Sequence, residues 1–199
     1  PRKILLNSWE GVYFDINQQG MDQMMADIAS MGGELFVMDD GWFGDKYPRK
    51  NDSSSLGDWV VDKNKLPNGI EGLLSDAKKH GVKFGIWIEP EMANTTSELY
   101  EKHPDWVLKA SERDVVLGRG GTQVVLDLAN PAVQDFVFGV VDNLMTSYPE
   151  IDYIKWDANM SVQNHGSQYL TKDNQSHMYI EFHRGFEKIC QRIRAKYPD

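Results

Sequence analysis

Tyr153-Ile154-Lys155-Trp156-Asp157-Ala158-Asn159 is an apolar strand sequence that closes on alternating charged and amide residues. Side chains on a strand alternate faces, so Lys155, Asp157 and Asn159 share one side while Ile154 and Trp156 share the other. A carboxylate flanked by an ammonium and an amide at the end of a strand has the make-up of a reacting centre. The plainer role for Asp157 is to cap the next helix or to pair with Lys155. Its companions weigh against that, because the ammonium favours the ionised carboxylate and the amide can hold a substrate hydroxyl. Asp157 is the candidate for the chemistry.

Outward from this segment the chain alternates strand and helix. Ile4 to Ser8 reads as a strand, and Met21, Met24, Met25, Ile28 and Ala29 follow at helical spacing until Gly32-Gly33. Leu35-Phe36-Val37-Met38 is a continuous apolar run, as expected of a strand covered on both faces. Ile70, Leu73, Leu74 and Ala77 mark a second helix ended by Gly81, and Val82 to Ile88 is a third strand. Thr95 to Lys102 predicts a short helix closed before Pro104, and Val124-Val125-Leu126 a minor strand. Asn130-Pro131 supplies an N-cap and a first-turn proline ahead of the stripe Val133, Phe136, Val137, Val140, Val141, Leu144 and Met145. Tyr153 to Trp156 is the fourth main strand and Met178 to Ile193 its following helix. The polar stretch from Gly44 to Asn68 reads as a long loop, and loops of that length in compact domains are often functional.

Alternating strands and helices imply a parallel sheet. Polar residues gather where the strands end, at Ser8-Trp9-Glu10, Asp39-Asp40-Gly41-Trp42, Glu89-Pro90-Glu91 and Lys155 to Asn159. Barrels and open sheets both concentrate function there, but no glycine-rich phosphate loop follows the first strand. The expected fold is therefore α/β, the first half of a (β/α)8 TIM barrel with about four β/α units. Residues 1–199 form one partial domain of a longer protein on this reading.

With 41% hydrophobic residues in 199, the chain can bury a core. A net charge of −9 argues against a nucleic-acid surface and fits a neutral or weakly charged ligand. The apolar runs are too short to span a membrane, and the lone Cys190 suits a reducing, cytoplasmic setting. Sequons begin at Asn51, Asn94, Asn159 and Asn174, and the one at Asn159 falls inside the proposed site, where a glycan would block it.

Asp39-Asp40 is the second constellation. Helix capping or a divalent metal would be the ordinary explanations, but recognition of hydroxyls fits better. Paired carboxylates accept bonds from vicinal diols, and the neighbouring Trp42 is suited to cover an apolar sugar face. One of the two could instead be a general acid. Trp9 and Trp87 stand at strand ends beside acidic residues, although each indole is by itself more often core than ligand platform. Of Glu89 and Glu91, one is expected to be structural, bonding the barrel rim or Arg119. Gly118-Arg119-Gly120-Gly121 can bend a loop inward and deliver a guanidinium, with an ordinary surface loop as the equal alternative. The five histidines lack metal-ligand spacing, and no nucleophile elbow or calcium-loop pattern occurs, so neither metal nor cofactor is expected.

Taken together, Asn7-Ser-Trp-Glu10, Phe36-Val-Met-Asp-Asp-Gly-Trp42, Gly85-Ile-Trp-Ile-Glu-Pro-Glu-Met92 and Tyr153-Ile-Lys-Trp-Asp-Ala-Asn159 resemble the catalytic domain of glycoside hydrolase family 36, the bacterial-type α-galactosidases. Leu66-Pro-Asn-Gly69 and Val125-Leu-Asp-Leu128 are similar to family segments as well. The resemblance implies a (β/α)8 barrel and retaining hydrolysis of terminal α-1,6-linked galactose, as in melibiose and raffinose. It assigns the nucleophile to Asp157, the galactose 4- and 6-hydroxyls to Asp39 and Asp40, and other ring hydroxyls to Lys155 and Asn159. Trp9, Trp87 and Arg119 would line the pocket, which makes Asp39 and Asp40 binders rather than acids. It puts the acid/base aspartate on a later strand beyond residue 199. The isolated chain is accordingly expected to be inactive, and the full-length protein to act on α-galactoside oligosaccharides as a homo-oligomer. A galactosyltransferase of the same family and a non-catalytic sugar-binding half-barrel are the rival readings.

Overall fold

The computed structural model describes residues 2–163 and 165–198. Its main sheet has four parallel strands, β1 (Leu5–Asn7), β2 (Leu35–Met38), β3 (Lys83–Ile88) and, much later in the chain, β6 (Ile151–Trp156). They lie in the order β1-β2-β3-β6, with Leu5 opposite Leu35, Phe36 opposite Phe84 and Ile86 opposite Ile154. Between β3 and β6 the chain makes an excursion through a small antiparallel pair, β4 (Met92–Asn94) and β5 (Gln123–Val125). Helices α2 (Gln18–Ser30), α3 (Gly69–His80), α5 (Pro131–Ser147) and α6 (Met178–Lys196) each follow a main strand. Short helices α1 (Trp9–Val12) and α4 (Glu98–Lys102) lie in the connections. This is half of a (β/α)8 barrel, with β1 and β6 as the edges of the sheet.

The local causes are those the sequence carries. All four residues of β2 are buried, as a strand sandwiched between helices and barrel interior demands. Asn17 caps α2 by accepting from the Gly20 amide at 2.8 Å, and Met21, Met25 and Ile28 form its buried stripe. Asn130 caps α5 in the same way, accepting from Ala132 at 2.9 Å ahead of Pro131. Gly81 ends α3 in the left-handed conformation, at φ 72°.

The 44–68 stretch has no helix or strand of its own, yet it is not a loose surface loop. Ser55, Leu56, Gly57 and Asp58 are buried, and the Asp58 carboxylate accepts from the Glu98 and Leu99 amides at the start of α4. Lys65 Nζ donates to the carbonyls of Phe14, Gly41 and Arg49 at 2.7–2.8 Å, pinning the stretch beneath the strand ends. Its polar composition is therefore spent on internal backbone groups, which composition alone does not reveal.

Helix α6 lies close to the β5 exit because Gly185 lets the two backbones meet. A Cβ at this position would sit 1.8 Å from the Leu128 carbonyl oxygen. Gly185→Ala should therefore destabilise the protein by about 1–3 kcal/mol from overpacking, outweighing the ~1 kcal/mol that alanine gains in helix propensity. Urea unfolding of the variant beside wild type checks this, and an unchanged midpoint would contradict the close packing.

Candidate functional site

The C-terminal ends of the four main strands bring Asn7, Asp39, Glu89, Lys155 and Asp157 to one rim. Asp39 follows β2 directly and is 3% exposed. Its Oδ2 accepts from Asn7 Nδ2, at the end of β1, and from Lys155 Nζ on β6, both at 2.7 Å. Its Oδ1 accepts from the Asp40 amide, and its own amide donates to Ser8 Oγ. Lys155 thus pairs with Asp39, 116 positions away, and not with its sequence neighbour Asp157.

Asp157 is half-buried, and its backbone N–H extends the sheet by donating to the Ile88 carbonyl at 2.8 Å. Trp87 Nε1 donates to Oδ2 at 3.0 Å and the Ala158 amide to Oδ1 at 3.0 Å. Burial works to raise the Asp157 carboxyl. The hydrogen bonds from Trp87, the Asn159 side chain and the Ala158 amide, with the Lys155 charge, outweigh it and hold the group below the usual carboxylate range. It is an ionised, directed carboxylate with no helix to cap, since the nearest following helical turn begins at Lys172.

Asp40 is 5% exposed and receives both Arg49 Nε, at 2.9 Å, and Arg49 NH2, at 2.7 Å. Burial pushes its carboxyl above the usual carboxylate range, and the bonds and charge of the Arg49 guanidinium oppose this without cancelling it. Arg49 is itself 1% exposed, and its remaining donors go to the Ser54 carbonyl, Asn94 Oδ1 and Asp52 Oδ1. Asp52 Oδ2 in turn accepts from Arg119 NH2 at 3.1 Å. The glycine-rich turn does bend inward, with Arg119, Gly120 and Gly121 all at positive φ. Its guanidinium therefore reaches the Asp40 corner through Asp52.

Of the two partners considered for Glu89 and Glu91, the rim and Arg119, the structure shows the rim: Arg119 is bonded to Asp52. Glu91 accepts from Trp156 Nε1 at 3.1 Å, on the face of β6 that packs against α6, while Glu89 turns inward and accepts from the Asn159 amide. One expectation is corrected: Trp42 offers no face to a sugar. It is fully buried, donates its indole N–H to the Trp87 carbonyl, and packs on Phe43 and Trp59. Gly41 sends it there, because φ 115° and a Phe14 backbone only 3.0 Å from a would-be Cβ admit no other residue. Trp9, by contrast, is half-buried at the start of α1, edge-on to Tyr13 and Phe14.

Arg49 was invisible in the sequence because nothing marks an arginine in a polar loop as buried. Asn7 had a signal, as the last residue of a strand whose neighbours reach the same rim. Among the described residues no group of three or more His, Cys, Asp or Glu side chains is placed to hold a metal ion. No helix among them is long and apolar enough to cross a membrane. A cleft of about 890 Å³ lies elsewhere, between the 57–64 stretch, α4 and α5, and is lined by none of Asp39, Asp40, Glu89 or Asp157.

Parallel strands that spend their C-terminal ends on one polar rim define part of a (β/α)8 barrel with its site at the barrel mouth. Comparison with known proteins specifies the kind. The family model described as Melibiase matches residues 1–199. Probable alpha-galactosidase C of Aspergillus flavus is 42% identical over 205 residues, covering 100% of this chain and 26% of that protein. Alpha-galactosidase AgaA of Geobacillus stearothermophilus is 40% identical over 197 residues, covering 99% and 26%. A crystal structure of a variant of that GH36 alpha-galactosidase in complex with stachyose superposes with a TM-score of 0.92 at 39% identity, over 99% of this chain and 27% of the other. The chain belongs to the melibiase family of the glycoside hydrolase family 36 type. It spans about a quarter of the length of the curated relatives it matches.

Removing the Arg49 guanidinium would leave Asp40 buried without its counter-charge. Arg49→Met should cost about 3–5 kcal/mol of stability, the usual penalty for breaking one side of a buried pair. The Asp40→Asn/Arg49→Met double variant should recover part of it. Thermal unfolding of Arg49→Met, Asp40→Asn and the double variant reads this directly, and additive losses would sink the claim that the pair acts as a unit.

Proposed function

We propose that residues 1–199 are the first half of the catalytic barrel of a retaining α-galactosidase, with Asp157 as the nucleophile. The observation that carries this reading is the state of Asp157. It is ionised, fixed by donors from three sides, and set beside the ammonium that ties β6 to Asp39. A carboxylate so placed can attack an anomeric carbon and form a galactosyl-aspartate, which water then opens. Relatives of known structure hold stachyose and raffinose, which supports terminal α-1,6-linked galactose as the substrate of the full-length protein.

In this mechanism Asp39 and Asp40 accept bonds from the galactose 4- and 6-hydroxyls. Both keep lone pairs beyond those used by Lys155, Asn7 and Arg49. Lys155 and Asn159 face other ring hydroxyls, and Trp9, Trp87 and Arg119 bound the pocket. The general acid/base belongs to a segment outside residues 1–199, so the isolated chain binds sugar without turning over unactivated galactosides. The full-length protein is read as a cytoplasmic homo-oligomer acting without metal or cofactor.

Asp157→Ala in the full-length protein should lower kcat by on the order of 10⁴-fold or more while preserving the fold. Azide should restore turnover and yield the β-galactosyl azide, because the small anion enters from the face that Asp157 vacates. Wild-type-like turnover by the variant would refute the assignment. Product analysis from raffinose decides the partition in the second step: free galactose is expected, and longer oligosaccharides would mark a transferase.

A further inference from the structure

Arg119 bounds the pocket on the reading above, yet the turn that carries it does little to fix its side chain. The Gly118 carbonyl accepts from the Gly121, Thr122 and Gln123 amides, which shapes the main chain and leaves the guanidinium to be placed by other means. Among the described residues that guanidinium has one partner, Asp52 Oδ2, which accepts from NH2 at 3.1 Å. The Arg119 side chain is 35% exposed, and its remaining donors are unused by these residues.

Asp52 is by contrast firmly held. Its backbone carbonyl accepts from Asn94 Nδ2 at 2.8 Å and from Gln123 Nε2 at 3.2 Å. Those two residues face each other across β4 and β5, and both are fully buried. Asp52 Oδ1 also lies 3.4 Å from Arg49 NH2, but Arg49 depends little on that contact. It is bonded twice to Asp40, at 2.9 and 2.7 Å, and through NH1 to the Ser54 carbonyl and Asn94. Loss of the Asp52 carboxylate would leave those bonds in place and leave Arg119 with none.

We propose that Asp52 is a positioning residue that holds the Arg119 guanidinium toward the Asp40 corner, so that its free donors meet a hydroxyl of the bound sugar. This rests on the reading of the pocket given above. An ion pair as exposed as this one adds little to stability. Its effect lies in ordering a side chain rich in rotamers before the sugar arrives, which removes an entropy cost from binding. Arg119 has no bond to Asp157, so the gain is common to the ground and transition states. It therefore falls on KM rather than kcat.

The test uses the full-length protein with raffinose. Asp52→Ala should raise KM about tenfold, the loss expected for one hydrogen bond to the sugar, and keep kcat within about threefold of wild type. The inhibition constant for galactose should rise in step. Asp52→Asn keeps an acceptor oxygen and should recover part of the loss. Arg119→Ala should raise KM as Asp52→Ala does, and the Asp52→Ala/Arg119→Ala double variant should be no worse than Arg119→Ala alone. A wild-type KM in Asp52→Ala overturns the proposal. So does an additive double variant, which would route the effect through Arg49 and Asp40. Should Asp52→Ala fail to fold, Asp52→Asn is compared in the wild-type and Arg119→Ala backgrounds, and a KM change of equal size in both overturns the proposal. Asp157→Ala is run alongside: if it retains turnover, the reading of the site fails and takes this one with it. If it is inactive while Asp52→Ala keeps the wild-type KM, Asp52 alone is wrong.

Discussion

The Asp39 carboxylate is the point through which the strand ends are held in register. It lies at the end of β2, yet its Oδ2 takes one donor from β1, Asn7, and one from β6, Lys155. The strand order places β3 between β2 and β6, so the Lys155 bond must cross the inner face of the sheet. The Lys155 and Asp39 side chains together span the β3 strand between them and meet at 2.7 Å. The ion pair thus couples the barrel's curvature to the geometry of its mouth. It also places Lys155 where its charge lowers Asp157 without being spent on it. Because the pair is partly buried, with Asp39 almost sealed, screening by salt is weak and the coupling persists at ordinary ionic strength.

Four carboxyl groups crowd this rim, and the sequence offers few cations to balance them. Each is resolved differently. Asp39 is paired with Lys155, and Asp40 with a fully buried guanidinium. Asp157 is held below the usual carboxylate range mainly by N–H donors, while burial raises Glu89 to about 7.

Much of this was legible in the sequence, for identifiable reasons. Period-two and period-3.6 patterns are local, so β2, α2 and α5 appear at nearly the bounds their apolar residues mark. The alternation of Lys155, Trp156 and Asp157 is likewise a local property. It correctly separates the residue that packs toward α6 from those that meet Asp39 and Trp87. What escaped was pairing through space. Asp52 and Arg119 are 67 positions apart, and no local rule prefers that contact over one with Glu89 or Glu91. Arg49 escaped for a related reason. A polar loop is ordinarily solvated, and only the buried backbone carbonyls, Asn94 and Asp40 together make it worthwhile to seal a guanidinium inside one. Trp42 misled because its neighbours are polar, whereas the positive φ of Gly41 turns it into the core.

The crowding also bears on which group can serve as acid. Retaining cleavage needs a second carboxyl about 5–5.5 Å from the nucleophile, with a proton that can reach the glycosidic oxygen. Glu89 holds a proton near neutrality but is sealed under the Asn159 turn, so a leaving group cannot meet it. Asp39 and Asp40 are buried and their oxygens are paired with Lys155 and Arg49. Glu91 has a raised carboxyl too, with burial as the main cause, but its Oε2 is bound to Trp156 on the helix-facing side of β6. Asp39, Asp40, Glu89 and Glu91 are thus each engaged by their surroundings. On the proposed reading of Asp157 as nucleophile, the described carboxyls around it serve to position it and to bind rather than to donate a proton.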